Sequence, residues 1–113
     1  MAKQKLHERR SQPLPKGAPA LDSKTVTSYL KECRGWTIDK GELVREFKFA
    51  NYYETMSNVV AIAMIAQSED HHPDMHVGYN KLAVRYSTHS VGGLSENDFI
   101  CAAKVNQMLP TKN

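Results

Sequence analysis

Two antiparallel strand pairs interleaved with amphipathic helices place this chain in the α+β class. Three observations support that prediction. Strand-like segments flank two turn signals, Lys40-Gly41 and Asn80-Lys81. Three other segments repeat apolar residues at three- and four-residue spacing, the period of a half-buried helix. Each of those three opens on a residue suited to cap it: Asp22 or Ser23, Asn51, and Ser95.

The global numbers agree. The chain has 113 residues, 41% hydrophobic and 24% charged, enough for one globular domain whose core needs no disulfide. Its net charge of +3 is modest, and no basic helix or aromatic-basic array accompanies it, so direct nucleic-acid binding is not expected. Cys33 and Cys101 have no motif spacing and read as reduced thiols. No apolar run reaches the roughly 18 residues that span a bilayer, and the basic N-terminus lacks the apolar core of a secretory signal. The expected location is cytoplasmic.

Residues 1–20 carry Lys3, Lys5, Arg9, Arg10 and Lys16, interrupted by Pro13, Pro15 and Pro19. They read as a flexible or surface-hugging basic arm, dispensable for function, ahead of a domain over 21–113. The first helix runs to about Cys33, with Val26, Tyr29, Leu30 and Cys33 on its buried face, and Gly35 ends it. Trp36-Thr37-Ile38 begins a strand, and Leu43–Phe49 returns antiparallel with Leu43, Arg45, Phe47 and Phe49 on one face. Trp36 reads as a core residue in preference to a flat wall for a planar ligand. The second helix, Ala50–Glu69, has a broad apolar stripe of Met56, Val59, Val60, Ala63 and Ile62 or Ala66.

The stretch Asp70–His89 holds four of the five histidines. Pro73 pushes His72 out of helical geometry, so the helix ends by about Asp70. A hairpin then runs from Met75 to Ser87, with His76 facing solvent. Extended geometry would send the side chains of His71 and His72 to opposite sides. His71 and His72 at one end of the hairpin and His89 at the other can meet in one cleft. Histidine exchanges protons near neutrality, so that arrangement suits acid–base chemistry. Gly92-Gly93 permits a reversal, and Ser95-Glu96-Asn97-Asp98 resembles a capping box opening a last helix that ends near Leu109-Pro110. Asp98 is first of all that cap.

A metal is the rival reading of the three histidines. Helical zinc motifs use one-turn spacing, adjacent extended histidines chelate a single ion poorly, and no cysteine or carboxylate pattern completes a site. A serine triad is weaker, since none of Ser87, Ser90 or Ser95 lies in a strained elbow such as G-x-S-x-G. Metal-free proton transfer is preferred.

The run E-D-H-H-P-D, then Y-N-K, then Y-S-T-H-S-V-G-G-L-S-E-N-D resembles the pterin-4a-carbinolamine dehydratase family, over about residues 22–109. The resemblance implies a four-stranded antiparallel sheet with helices on one face, and homodimers or homotetramers. It implies dehydration of 4a-hydroxytetrahydrobiopterin to the quinonoid dihydropterin, with a small-molecule pterin as substrate and no separate cofactor. By motif position His71, His72 and His89 correspond to the family's active-site histidines; the chemistry of dehydration then assigns proton transfer to His71 and His89, with His72 holding the pterin. Trp36, Asp70 and Asp98 fall near the substrate, and Asp70 or Asp98 would orient an imidazole or pair with the pterin's amino-pyrimidine edge. Two positions depart from the family's pattern. Gln67 stands where many members have glutamate, and Met75 or His76 where an aromatic is common. Some animal members also bind a homeodomain transcription factor, so a non-catalytic pterin-binding or coactivator module is the alternative.

Overall fold

A computed structural model describes residues 4–109; Met1–Lys3 of the expected arm and Pro110 at the expected helix end lie outside them. Three helices, α1 (Ser23–Leu30), α2 (Tyr52–Glu69) and α3 (Glu96–Met108), accompany four strands. The strands are β1 (Thr37–Asp39), β2 (Glu42–Lys48), β3 (Asp74–Val77) and β4 (Lys81–Tyr86). All neighbours are antiparallel, in the order β1-β2-β4-β3, so the two hairpins join through β2 and β4 into one sheet. This is the α+β fold with a four-stranded antiparallel sheet.

Local chemistry sets the boundaries. Asp22 and Asn51 accept the amides of Thr25 and Glu54, capping α1 and α2. Lys40 and Gly41 both have positive φ (52° and 77°), the conformation a two-residue hairpin turn requires. The β2–β4 register pairs Leu43 with Tyr86, Arg45 with Val84 and Phe47 with Leu82. Their apolar side chains form the sheet side of the core, and Ile62 and Ile65 of α2 with Phe99, Ile100, Ala102 and Val105 of α3 form the other. Arg45 interrupts that apolar face. Its guanidinium lies over the Phe47 ring at 4.6 Å and donates to the Arg34 carbonyl, so its charge is not left unmatched in the core.

Two expectations are corrected. Along α2 the buried residues are Thr55, Ile62, Ile65, Ala66 and Glu69, whereas Val60 is 58% exposed and Ala63 is exposed too. The helix is apolar on most of its circumference, so its period does not select a face; contact with the sheet and α3 does. The described residues of the N-terminal segment follow the surface-hugging reading and not the flexible one, with one side chain sunk in the core. Leu6, in a single 3-10 turn over Leu6–Glu8, is fully buried in the core. Arg9 pairs with Glu96 at 3.1 Å and Arg10 with Glu69 at 3.1 Å. Leu6 and Leu14, separated by basic residues and proline, set up no periodicity, which is why the sequence conceals this anchor.

Candidate active site

The site begins where α2 stops. Asp70 adopts left-handed geometry (φ 52°), and its amide and that of His71 both return to the Ala66 carbonyl. A non-glycine residue there costs about 1–2 kcal/mol, and it turns the chain sharply off the helix axis. His71 is thereby aimed into the molecule, while His72, next to Pro73, is exposed.

His71 is held on two sides. Its ring stacks on Tyr86 of β4 (5.7 Å between centroids, 9° between planes). Its Nε2 lies 2.6 Å from Asp98 Oδ1 at the start of α3. Asp98 is fully buried, and its second oxygen accepts the Thr88 hydroxyl at 2.8 Å and the Ser95 amide at 2.9 Å. With the Thr88 proton committed to Asp98, the Ser95 hydroxyl at 2.7 Å donates to Thr88. A carboxylate only accepts, so Nε2 of His71 carries a proton and Nδ1 of the neutral ring presents a lone pair. The imidazole is 13% exposed, its position set by Asp98 and Tyr86 while an edge reaches solvent.

The same network ties the ends of the hairpin together. Thr88, linked to His71 through Asp98, directly precedes His89, which is exposed at the start of the turn His89–Val91. A cleft of about 340 Å³ opens beside them, lined by Asp70, His71, Thr88 and Ser90 on one side and Ser11–Leu14 on the other. That volume lies at the lower end of the small-molecule range.

The remaining expected residues fall into place unequally. Asp70 is exposed at the rim. Asp98 does not reach open cleft; its oxygens are already engaged, so its task is to fix His71. Trp36 is 5% exposed, with its indole N–H donated to Asn106 and its ring 5.9 Å from that of Tyr86. It is drawn away from the cleft as a core residue behind the Tyr86–His71 stack. Gln67 is exposed, and Glu69 is turned toward Arg10 and Lys104, so the carboxylate serving His71 comes from α3. Sequence reasoning passed over Thr88, Tyr86 and the Ser11–Leu14 wall. The S-T-H triplet could have pointed to Thr88; the wall has no local signal.

Burial keeps Cys33, Cys101 and Tyr86 protonated and unsuited to act as nucleophiles. Desolvation pushes the thiols of Cys33 and Cys101 up to about 12 and drives the Tyr86 hydroxyl higher still. Among the described residues no three His, Cys, Asp or Glu side chains group as metal ligands, and no helix is long and apolar enough to cross a membrane.

A histidine locked to a buried carboxylate, on an α+β sheet with a small polar cleft, is a class of site able to exchange a proton with a compact ligand. Comparison with known proteins makes the class specific. The sequence profile of the family described as pterin 4 alpha carbinolamine dehydratase matches residues 19–108, and the chain belongs to that family. A chain from Nitrosomonas eutropha, provisionally named a pterin-4-alpha-carbinolamine dehydratase, is 49% identical over 105 residues, covering 92% of this chain and 93% of its own. A counterpart from Nitrosomonas europaea with the same provisional name is 48% identical over 104 residues, covering 91% and 92%. The crystal structure of a transcriptional coactivator/pterin dehydratase from Brucella melitensis superposes with a TM-score of 0.74 at 30% identity, covering 79% of this chain and 97% of that one. A pterin dehydratase-like RuBisCO assembly factor of the alpha-carboxysome has a TM-score of 0.58 at 20% identity, covering 72% and 96%. That second likeness shows the fold alone.

Proposed function

We propose that this protein dehydrates 4a-hydroxytetrahydropterins to the quinonoid dihydropterin, the step that returns the cofactor of aromatic amino acid hydroxylases to its reducible form. The observation that carries the reading is the His71–Asp98–Thr88 chain, which holds a cleft histidine and ends at the residue that precedes His89. The reaction removes the proton on N5, forms the N5=C4a double bond and releases the 4a-hydroxyl as water. His71 takes the N5 proton on Nδ1, because Asp98 holds the proton on Nε2. His89 delivers a proton to the departing hydroxyl. His72, extended before Pro73, holds the pterin, and Asp70 at the rim pairs with its amino-pyrimidine edge. Each proton transfer contributes about 10²–10⁴-fold, and neither calls on a metal or a redox group.

A coactivator role is the other function suggested by the solved relative from Brucella melitensis. A protein acting only as a scaffold would have no use for a histidine tautomer set by three hydrogen-bonded residues, so the enzymatic reading is preferred. The test is direct: generate the 4a-carbinolamine enzymatically and follow the decay of its ultraviolet absorbance with and without the purified protein. Decay no faster than the spontaneous rate refutes the proposal.

A further inference from the structure

The segment Ser11–Leu14 lies outside the span matched by the family profile, which begins at residue 19, yet it forms one side of the cleft that holds His71. It is fastened there by two buried side chains. Glu69 accepts the Ser11 amide at 2.7 Å while pairing with Arg10 at 3.1 Å and Lys104 at 3.8 Å. Asn97 binds the backbone of Gln12 at both ends, accepting its amide at 3.0 Å and donating to its carbonyl at 2.8 Å. Upstream, Leu6 is sunk in the core and its amide donates to Glu32 at 2.9 Å. Two buried polar side chains spent on three backbone groups of one short segment hold that backbone at a set distance from His71.

The chemistry of the enclosed space is equally definite. Ser11, Gln12, Pro13 and Leu14 contribute neutral groups, Asp70 contributes a carboxylate, the charge of Glu69 is met by Arg10 and Lys104, and no lysine or arginine is among the lining residues described. Such a wall favours an uncharged, hydroxyl-bearing substituent and disfavours an anionic one.

We infer that Ser11–Leu14 is a substrate-selecting wall of this site, holding pterins by a neutral hydroxylated side chain. The inference rests on the dehydratase reading above. The experiment compares two 4a-hydroxy substrates, one bearing the dihydroxypropyl side chain of biopterin and one bearing only a 6-methyl group, in wild type, Asn97→Ala and Leu14→Gly. Asn97→Ala releases the clamp; Leu14→Gly alters the wall without touching it, which guards against a folding defect in the first variant. Wild type is expected to favour the dihydroxypropyl substrate through KM. In the variants that preference, read as the ratio of kcat/KM for the two substrates so that a general loss of activity cancels, falls about five-fold or more, as the loss of the wall's contacts implies. A wild type without preference, or a preference unchanged in both variants, overturns the inference. If wild type dehydrates neither substrate, the reaction itself is refuted and the wall is judged by carbethoxylation of His71 with diethyl pyrocarbonate, read by peptide mass spectrometry. A rate several-fold faster in Asn97→Ala supports the wall, and an unchanged rate overturns it.

Discussion

Replacing Asp98 by asparagine tests the site at its centre. The carboxylate accepts from His71, Thr88 and the Ser95 amide. In Asp98→Asn the amide oxygen still serves Thr88 and Ser95, so the start of α3 keeps its cap. The amide nitrogen then faces Nε2 of His71 and donates to it, which moves the imidazole proton to Nδ1 and removes the lone pair from the cleft. Losing general-base catalysis lowers kcat by about 10²–10⁴-fold. Exchanging bonds to a charged group for neutral ones costs about 0.5–1.5 kcal/mol, or about 2–6 °C in Tm for a domain this size. Ser95→Ala is the control. It removes the hydroxyl that supports Thr88 yet leaves the Ser95 amide and Asp98 in place. It should destabilise by about 0.5–2 kcal/mol with kcat lowered only a few-fold. The assay is kcat and KM for both variants well below their melting points, alongside thermal unfolding. If Asp98→Asn keeps kcat within about three-fold of wild type while folded, the tautomer argument is wrong.

His71→Ala and His89→Ala should each reduce kcat by about 10²-fold or more with pterin binding retained, whereas His72→Ala should act mainly on KM. A kcat collapse confined to His72→Ala would reverse the division of labour. Leu6→Ala should lower stability by about 2–5 kcal/mol, measured by denaturant unfolding; an effect below about 0.5 kcal/mol would mean the arm is not anchored in the core. The buried thiols set an alkaline limit. Cys33 and Cys101 are raised in the folded state to about 12 from 9.0, so the fold binds protons that the unfolded chain releases. Their stabilisation is complete below the unfolded value and is lost as pH climbs from about 9 toward 12. Tm should therefore fall over that window, and less steeply in a Cys33→Ala/Cys101→Ala variant; identical slopes would refute the assignment. Turnover should survive prolonged chelation, since the proposed steps use only imidazoles, and a stoichiometric metal whose removal abolishes activity would contradict them.

Local chemistry made much of this protein legible from its sequence. The Lys40-Gly41 turn, the caps at Asp22 and Asn51, the helix end before Pro73 and the alternation of Leu43, Phe47, Leu82, Val84 and Tyr86 depend on neighbours a few residues apart. Their energetics are complete within one turn or one strand pair, so a linear reading suffices. The motif H-H-P with S-T-H and S-E-N-D likewise carried the family, because its residues keep their spacing along the chain.

Tertiary structure decided what depends on partners far apart in sequence. Asp98 reads as a helix cap, and only the approach of α3 to the end of α2, spanning 27 residues, makes the same carboxylate the anchor of His71. Trp36 could line a ligand or a core until Tyr86 and Asn106 close around it. The N-terminal segment looked free because its bonds to Glu69 and Asn97 cross 58 and 85 residues, and its one apolar anchor, Leu6, has no repeating pattern to announce it. Hydrophobic periodicity records which side of an element is apolar; it does not record which surface that side will meet. For α2, apolar nearly all round, and for a strap with a single buried leucine, the choice falls to three-dimensional packing.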